Sequence, residues 1–280
     1  MLPIVARPAG SIEPVSDYVI RGGREGYDRL RVLAQVHDAN TAALLDRVGV
    51  TLGMHCLDVG CGGGDVTFLL ARMVGPYGSA TGLDMDQVKL DLAGEQAVEL
   101  GLANVRFQVA DITAWSEPGG YDVVYSRFVL EHLRQPVELL RQMWAAVRPG
   151  GAIVVEDADF DGCFTDPPNA GHDFYQRVYS EALRRRGGDA AIGRKLRRLC
   201  LEAGIPDPGF EIVQGVAASG VIVELPHLTL VASAEAVIAE GIASADEVER
   251  AVADMEAFGR LPESVVGGSR IGRVWQRREA

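Results

Sequence analysis

Nine residues, Leu57 to Asp65, read LDVGCGGGD and hold the densest chemistry in the chain. An apolar run leads into Gly60, Gly62, Gly63 and Gly64, and a helical pattern follows at once. Glycine lets a backbone turn sharply and lets a ligand approach without meeting a Cβ. A helix N-terminus behind the turn adds N–H groups that have no partner within the helix. Dinucleotide sites use this arrangement with the spacing G-x-G-x-x-G, whose third glycine permits close helix–strand contact under a pyrophosphate. Counted from Gly60 that third glycine falls on Asp65, and counted from Gly62 it falls on Thr67. The spacing here is instead D-x-G-x-G-x-G, with Asp58 two residues before the first glycine. A carboxylate is unfavourable beside a pyrophosphate but suits an ammonium group, where a charge-assisted hydrogen bond contributes roughly 1.5–3 kcal/mol. The expected ligand is a nucleoside carrying an amino acid. A tight turn with no ligand is the bland alternative.

The elements around this loop must hold it in place. From 26 to 48, Leu30, Leu33, Val36, Leu44, Leu45 and Val48 recur at near-helical spacing, and Gly49 falls outside the pattern. The preceding residues, rich in Pro and Gly, read as a loose arm. Short β-like runs then follow at 54–59, 80–84, 105–110, 121–126 and 152–157, most of them separated by helical patterns over 66–74, 86–100 and 137–147. Such alternation implies a parallel sheet covered on both faces, and strand cores apolar on both sides agree with that.

Beyond Asp157 the alternation breaks. A loop and a helix over 173–186 read as an insertion, then come a helix over 192–203 and a strand over 210–213. Residues 232–259 read as helical, with Ser233 and Ser244 as N-caps, and Ser244 with Glu247 forms a capping box. A last apolar run ending in Val274 and Trp275 reads as a final strand. The expected fold is α/β: a doubly wound, mostly parallel seven-stranded sheet of Rossmann-like type, with helical insertions forming a cap. Its expected divisions are an arm and helix over 1–48 that could act as a lid, a core over 49–157, a cap segment over 158–189, core again over 190–221, a second cap segment over 222–266, and a final strand over 267–280.

These stretches, in this order, resemble class I S-adenosylmethionine-dependent methyltransferases of the small-molecule type. LDVGCGGGD is similar to their first motif, which implies that Asp58, Gly60, Gly62 and Gly64 surround the methionine part of the cofactor. ATGLDMD resembles the second: Asp84 would bind both ribose hydroxyls and Met85 would pack on adenine. VADITAW resembles the third, with Asp111 accepting from the adenine amino group and the Ile112 backbone completing that edge. YDVVYSRFVLEHL resembles the fourth-strand motif, where Arg127, Glu131 and His132 stand, and RPGGAIVVED the turn into the fifth strand. The matches run from Met54 to Asp157. Asp84 could instead cap the helix after it, and Asp111 could simply end a strand.

Methyl transfer from a sulfonium is an in-line displacement that needs no metal, and orientation alone can supply roughly 7–11 kcal/mol. A general base adds about 10²–10⁴-fold where the acceptor must lose a proton. His132 is the candidate base; it adjoins Glu131, but neighbours on a helix point different ways. Asp157 and Asp159 would meet either substrate or solvent. His172 and His227 lie in the inserted lobes, where they could face the pocket, His37 and His55 look structural, and no histidine spacing suggests a metal. Tyr18, Arg24, Tyr27 and Arg29 flank the N-terminal glycines, where an arm would either close over the cofactor or pack on the sheet edge. Apolar side chains in the two cap segments, among them Phe160, Phe164, Tyr175, Leu225, Met255 and Phe258, would wall an acceptor pocket of roughly 300–1,000 Å³ or form a satellite core.

A net charge of −12 argues against a general nucleic-acid footprint. No N-P-P-Y-like or D-P-P-Y-like segment follows the fourth strand either. The basic run Arg184, Arg185, Arg186, Arg194, Lys195, Arg197 and Arg198 is a solvated face or a dock for an acidic carrier protein or a phosphorylated substrate. Cys56, Cys61, Cys163 and Cys200 contain no C-x-x-C pair, which suits a reduced cytoplasmic protein. Neither a signal peptide nor an apolar stretch near 18 residues is apparent, so no membrane partner is expected. The expected partner is a small-molecule substrate, and a homodimer is compatible with the sequence. Two other functions stay open: a cofactor-binding enzyme of this fold with non-methylating chemistry, and a non-catalytic partner subunit.

Overall fold

The structure is a computed structural model that describes Val19 and residues 22–280. Most of the expected arm, including Tyr18, lies outside the described residues. Helix α1 (Gly23–Val48) ends at Gly49, whose φ of 90° closes the last turn as an αL cap. Strands β1 (His55–Val59), β2 (Ser79–Asp84), β3 (Val105–Val109), β4 (Tyr121–Arg127) and β5 (Val147–Asp159) alternate with α2 (Asp65–Val74), α3 (Gln87–Glu99) and α4 (Pro136–Ala146). These five strands pair in parallel in the order β3-β2-β1-β4-β5.

Successive residues of each strand point to opposite faces. Val124, Ile153 and Val155 pack with Leu139, Met143 and Leu196 on one face, whereas Val123, Tyr125 and Val154 pack with Leu44, Leu45 and Leu70 on the other. Burial on both sides is why these strands read as near-continuous apolar runs.

The second half adds β6 (Phe164–Asp166), α5 (Ala170–Arg186), α6 (Leu196–Glu202), β7 (Gly209–Ala217), α7 (Val221–Ala239), α8 (Ala245–Phe258) and β8 (Val265–Arg277). Strand β8 runs antiparallel between β5 and β7. The sheet therefore has eight strands, one more than expected, because the three-residue β6 pairs with Val265–Gly267 of β8 beyond the end of β5. A three-residue strand inside an insertion carries too little pattern to be read.

Helices α5, α7 and α8 pack together around Tyr175, Val178, Tyr179, Leu230, Val237, Val248 and Met255. Ser244 caps α8 with the expected capping box. Ser233 does not cap a helix: α7 begins twelve residues earlier, at Val221, and the Ser233 hydroxyl donates back to the Thr229 and Leu230 carbonyls. Helix α7 also corrects the expectation about apolar length, since by length and composition alone it could cross a membrane. Glu224 and Glu235 are its only charged residues, and it packs here against α1, α5 and α8.

Candidate active site

The parallel strands deliver the predicted motifs to one edge of the sheet. Asp58 lies beside Gly82 and Tyr125, and Arg127 lies beside Glu156, so the ends of β1, β2, β4 and β5 converge. Gly60, Gly62 and Gly64 have φ values of 73°, 54° and 81°, a region costly for any residue with a Cβ. A Cβ on Gly62 would stand 2.7 Å from Leu30 Cδ1, and one on Gly64 would stand 2.7 Å from Phe107 Cζ. The loop is tied to β2 through the Gly60 and Cys61 N–H groups, both donating to the Leu83 carbonyl at 2.8 Å.

Asp58 is buried, and its Oδ2 accepts from the Thr67 hydroxyl at 2.7 Å. Burial pushes its carboxyl up to about 7, against the opposing pull of Thr67 and of the Arg127 charge. A cationic ligand group would restore the ionised form. Asp84 braces the loop: its Oδ2 accepts from Gly62 N–H and its Oδ1 from Asp86 N–H, both at 2.9 Å. The cap of α3 is a different residue, Asp86, which accepts from Lys89 N–H. That division leaves Asp84 half-buried at the cavity wall with lone pairs to spare.

The residues expected around adenine are not brought to the cavity. Met85 is 69% exposed, Asp111 is exposed, and Ile112 packs against the core below. Asp111 Oδ1 accepts from Thr113 N–H and its hydroxyl, which holds the Asp111 carboxyl below its usual range. Met85 follows β2, and Asp111 and Ile112 follow β3.

Helix α1 lies over the loop. Tyr27 packs on Gly63 and its hydroxyl donates to Gln96 of α3, while Leu30 covers Gly62. Arg127 is turned toward the same helix, donating to Thr41 Oγ1 at 3.0 Å and to Asp38 Oδ1 at 3.1 Å, yet it still lines the cavity. The contribution of α1 could not be read from the motifs, because Asp38 and Arg127 are far apart in the chain.

One cavity of about 140 Å³ runs from Asp58, the glycine loop and Asp84 to the cap. Leu30 and Leu33 of α1 fill part of the space, so it is smaller than expected. Of the predicted cap residues, Phe160, Phe164, Tyr175 and Leu225 line it. Met255, Phe258 and Leu230 are instead buried in satellite cores, so the lobes do both jobs foreseen for them.

His132 also lines the cavity. It stands on a 3-10 turn (Leu130–His132) where, contrary to expectation, it meets Glu131: Nε2 lies 3.4 Å from Oε1. Burial, with Arg29, Lys89 and Arg186 nearby, lowers His132 to about 3, while burial and Asp157 push Glu131 well up. An imidazole with so low a value is a weak proton acceptor near neutrality, though still a good hydrogen-bonding group.

Asp157 and Asp159 are buried rather than facing solvent. Asp157 accepts from the N–H groups of Leu130, Glu131 and Ala158 and so fixes the turn that carries His132. Asp159 pairs with Arg194 at 2.5 Å. His172 lines the cavity, as its place in the inserted lobe allowed, and so does His37, which read as structural; His55 instead meets Ser79 away from it. The basic run is engaged with acids: Arg184 and Arg185 with Glu181, Arg186 with Glu240, Lys195 with Asp189, Arg197 with Asp207, and Arg198 with Glu202. Most of these basic side chains are well exposed, as a solvated face requires. Among the described residues no cluster of His, Cys, Asp or Glu could hold a metal ion.

Residues 51–186 match the family model described as a methyltransferase domain. The chain is 31% identical over 131 residues to the demethylmenaquinone methyltransferase of Lactococcus lactis, covering 46% of this chain and 52% of that protein. It is 34% identical over 125 residues to the ubiquinone biosynthesis O-methyltransferase of Aeromonas salmonicida, covering 44% and 51%. The chain thus spans about half the length of the curated relatives it matches. The phosphoethanolamine N-methyltransferase 2 of Haemonchus contortus, solved with S-adenosyl-L-methionine, shares the fold with a TM-score of 0.52 at 16% identity, covering 95% of this chain and 55% of that one. Motif order, sheet topology and the glycine loop agree with these findings: residues 51–186 carry a methyltransferase domain, on the fold shared with class I, S-adenosylmethionine-dependent enzymes.

Proposed function

We propose that the protein transfers a methyl group to a small, largely apolar molecule held between the glycine loop and the cap. The observation that carries this reading is the single cavity joining the two. At one end stand a buried carboxylate suited to an ammonium group, a loop with no Cβ in the way, and Asp84. At the other stand aromatic and aliphatic side chains from β5, α5 and α7.

S-Adenosylmethionine bound at the first end supplies an electrophilic methyl on a sulfonium. Asp58, Gly60, Gly62 and Gly64 hold its amino-acid part, and Asp84 holds its ribose. Arg127 keeps α1 over the site. Met85, Asp111 and Ile112 remain the adenine side of the proposal. His132 and Glu131 offer hydrogen bonds to the acceptor.

The names of the relatives fit such an acceptor, since two of them concern quinone compounds. Calorimetry tests the cofactor half directly. S-Adenosylhomocysteine should bind the full-length protein and NADH should not; NADH binding with no response to S-adenosylhomocysteine would overturn it. Release of S-adenosylhomocysteine from S-adenosylmethionine, dependent on a hydroxylated aromatic acceptor, would establish the transfer.

A further inference from the structure

His172 stands at the start of α5, on the cap side of the cavity, outside every motif described above. Its surroundings determine its protonation pattern. Asn169 is the N-cap of α5, and its Oδ1 accepts from the His172 backbone N–H at 3.0 Å. Its Nδ2 donates to Asp254 Oδ2 of α8 at 2.9 Å. The amide cannot be turned round, because a backbone N–H requires an acceptor and a carboxylate requires a donor.

The same Oδ1 lies 2.7 Å from His172 Nδ1. An amide oxygen only accepts, so Nδ1 carries the ring proton and Nε2 keeps a lone pair. Nε2 is fully buried and has no hydrogen-bond partner within the protein. Leaving such an acceptor unmet is costly, and it belongs to a residue that lines the cavity. Phe258 packs edge-on against the ring at 5.3 Å, which limits its rotation.

Resting on the proposed function, we propose that His172 Nε2 is the proton acceptor for a hydroxyl group on the methyl acceptor, with Asn169 and Asp254 as positioning residues. The acceptor is then a small hydroxylated compound with an apolar body, methylated at oxygen. Its O–H bond breaks, the proton passes to Nε2, and the oxygen takes the methyl from the sulfonium as the carbon–sulfur bond breaks. A methyl ether and S-adenosylhomocysteine result, and the imidazolium returns its proton to solvent.

The groups facing His172 support this role. Burial lowers its pKa, which keeps it neutral, and His227 of α7 acts in the same direction. Asp254 of α8 and Asp173 of its own helix oppose that lowering and would stabilise the imidazolium as it forms. At His132 burial, joined by the Arg29, Lys89 and Arg186 charges, carries the pKa down to about 3. Burial and the Arg127 charge lower His37 to about 3 as well, so of the three cavity histidines His172 is the best base.

The test uses the full chain with S-adenosylhomocysteine bound and its histidines isotope-labelled, His172→Gln serving to assign the resonances. Long-range proton–nitrogen spectra at neutral pH should show His172 with its proton on Nδ1. Adding catechol, naphthol or menadiol should move its Nε2 resonance in the direction of an accepted hydrogen bond. Any of these probes that is turned over should be slowed at least ~100-fold in kcat by His172→Gln, with affinity for S-adenosylhomocysteine unchanged. A proton on Nε2, an Nε2 resonance unmoved by all three probes, or an unchanged kcat overturns the assignment. Failure to bind S-adenosylhomocysteine would instead overturn the proposed function, so the two failures are distinguishable.

Discussion

Replacing Asp84 with alanine removes the carboxylate that accepts from Gly62 and Asp86 N–H groups, both at 2.9 Å. Hydrogen bonds to a charged group contribute about 1.5–3 kcal/mol each when buried. Asp84 is half-buried, and water can replace part of what is lost, so the unliganded protein should lose about 1–3 kcal/mol in total. With an m-value near ~3 kcal/mol/M in urea, that moves the midpoint down by up to about 1 M. Ligand affinity should suffer more, because the ribose hydroxyls lose their acceptor and Gly62 loses the bond that holds its positive φ. A combined loss of about 3 kcal/mol or more corresponds to ~100-fold weaker binding of S-adenosylhomocysteine. Calorimetry beside urea unfolding separates the two effects, and Asp84→Asn, which keeps one accepting oxygen, should fall between wild type and Asp84→Ala. If Asp84→Ala binds S-adenosylhomocysteine within about threefold of wild type, the carboxylate neither braces the loop nor meets the ribose.

Two further outcomes follow from the buried charges. Asp58 titrates at about 7 in the folded protein because burial penalises its charge. Between about pH 4 and pH 7 the native state holds a proton that the unfolded state has released, so Asp58 makes unliganded stability fall as pH rises through that window. An ammonium-bearing ligand needs the carboxylate, so affinity for S-adenosylhomocysteine should weaken roughly tenfold per pH unit below about 7. Asp58→Asn should bind weakly with that dependence gone, and a wild-type affinity that is flat down to about pH 5 would remove Asp58 from the ammonium site. On the same face of the sheet, Glu156 accepts from Thr41 at 2.6 Å, Tyr125 at 2.5 Å and Arg273 Nε at 2.7 Å while almost fully buried. Glu156→Gln leaves the Arg273 charge poorly matched and should cost about 3–5 kcal/mol, read as a lowered urea midpoint; a change under about 1 kcal/mol would show that Glu211 alone holds Arg273.

The fold was legible where burial imposes a pattern. Five strands covered on both faces must be apolar throughout, and Val123, Val124, Val154 and Val155 announce that without help from the rest of the chain. Boundaries written by caps were legible too: Gly49 ends α1, and Ser244 with Glu247 begins α8. Ser233 misled because a serine inside a helix has the same letter as a serine before one, and only its bond back to Thr229 tells them apart. Strand β6 escaped notice because its three residues are strand only by virtue of β8, about one hundred residues later.

The candidate site divides along the same line. Asp58, the glycines and Asp84 sit within consecutive β–α units, so short-range spacing was enough to place them at one edge. What covers that edge depends on contacts that spacing cannot express. Thr41 donates to Glu156 and accepts from Arg127, which pins the second half of α1 to the sheet; the first half then lays Leu30 and Tyr27 over the loop. None of those α1 residues resembles a motif, because each is defined only by a partner elsewhere in the fold. His172 shows the limit most clearly. A histidine at a helix start is unremarkable in a sequence, and its lone pair becomes meaningful only once Asp254, eighty-two positions later, has fixed which way Asn169 faces. Motifs therefore point to the proposed cofactor site, since that geometry is local, while His172, the base proposed for the acceptor, comes from an insertion whose chemistry is settled by packing.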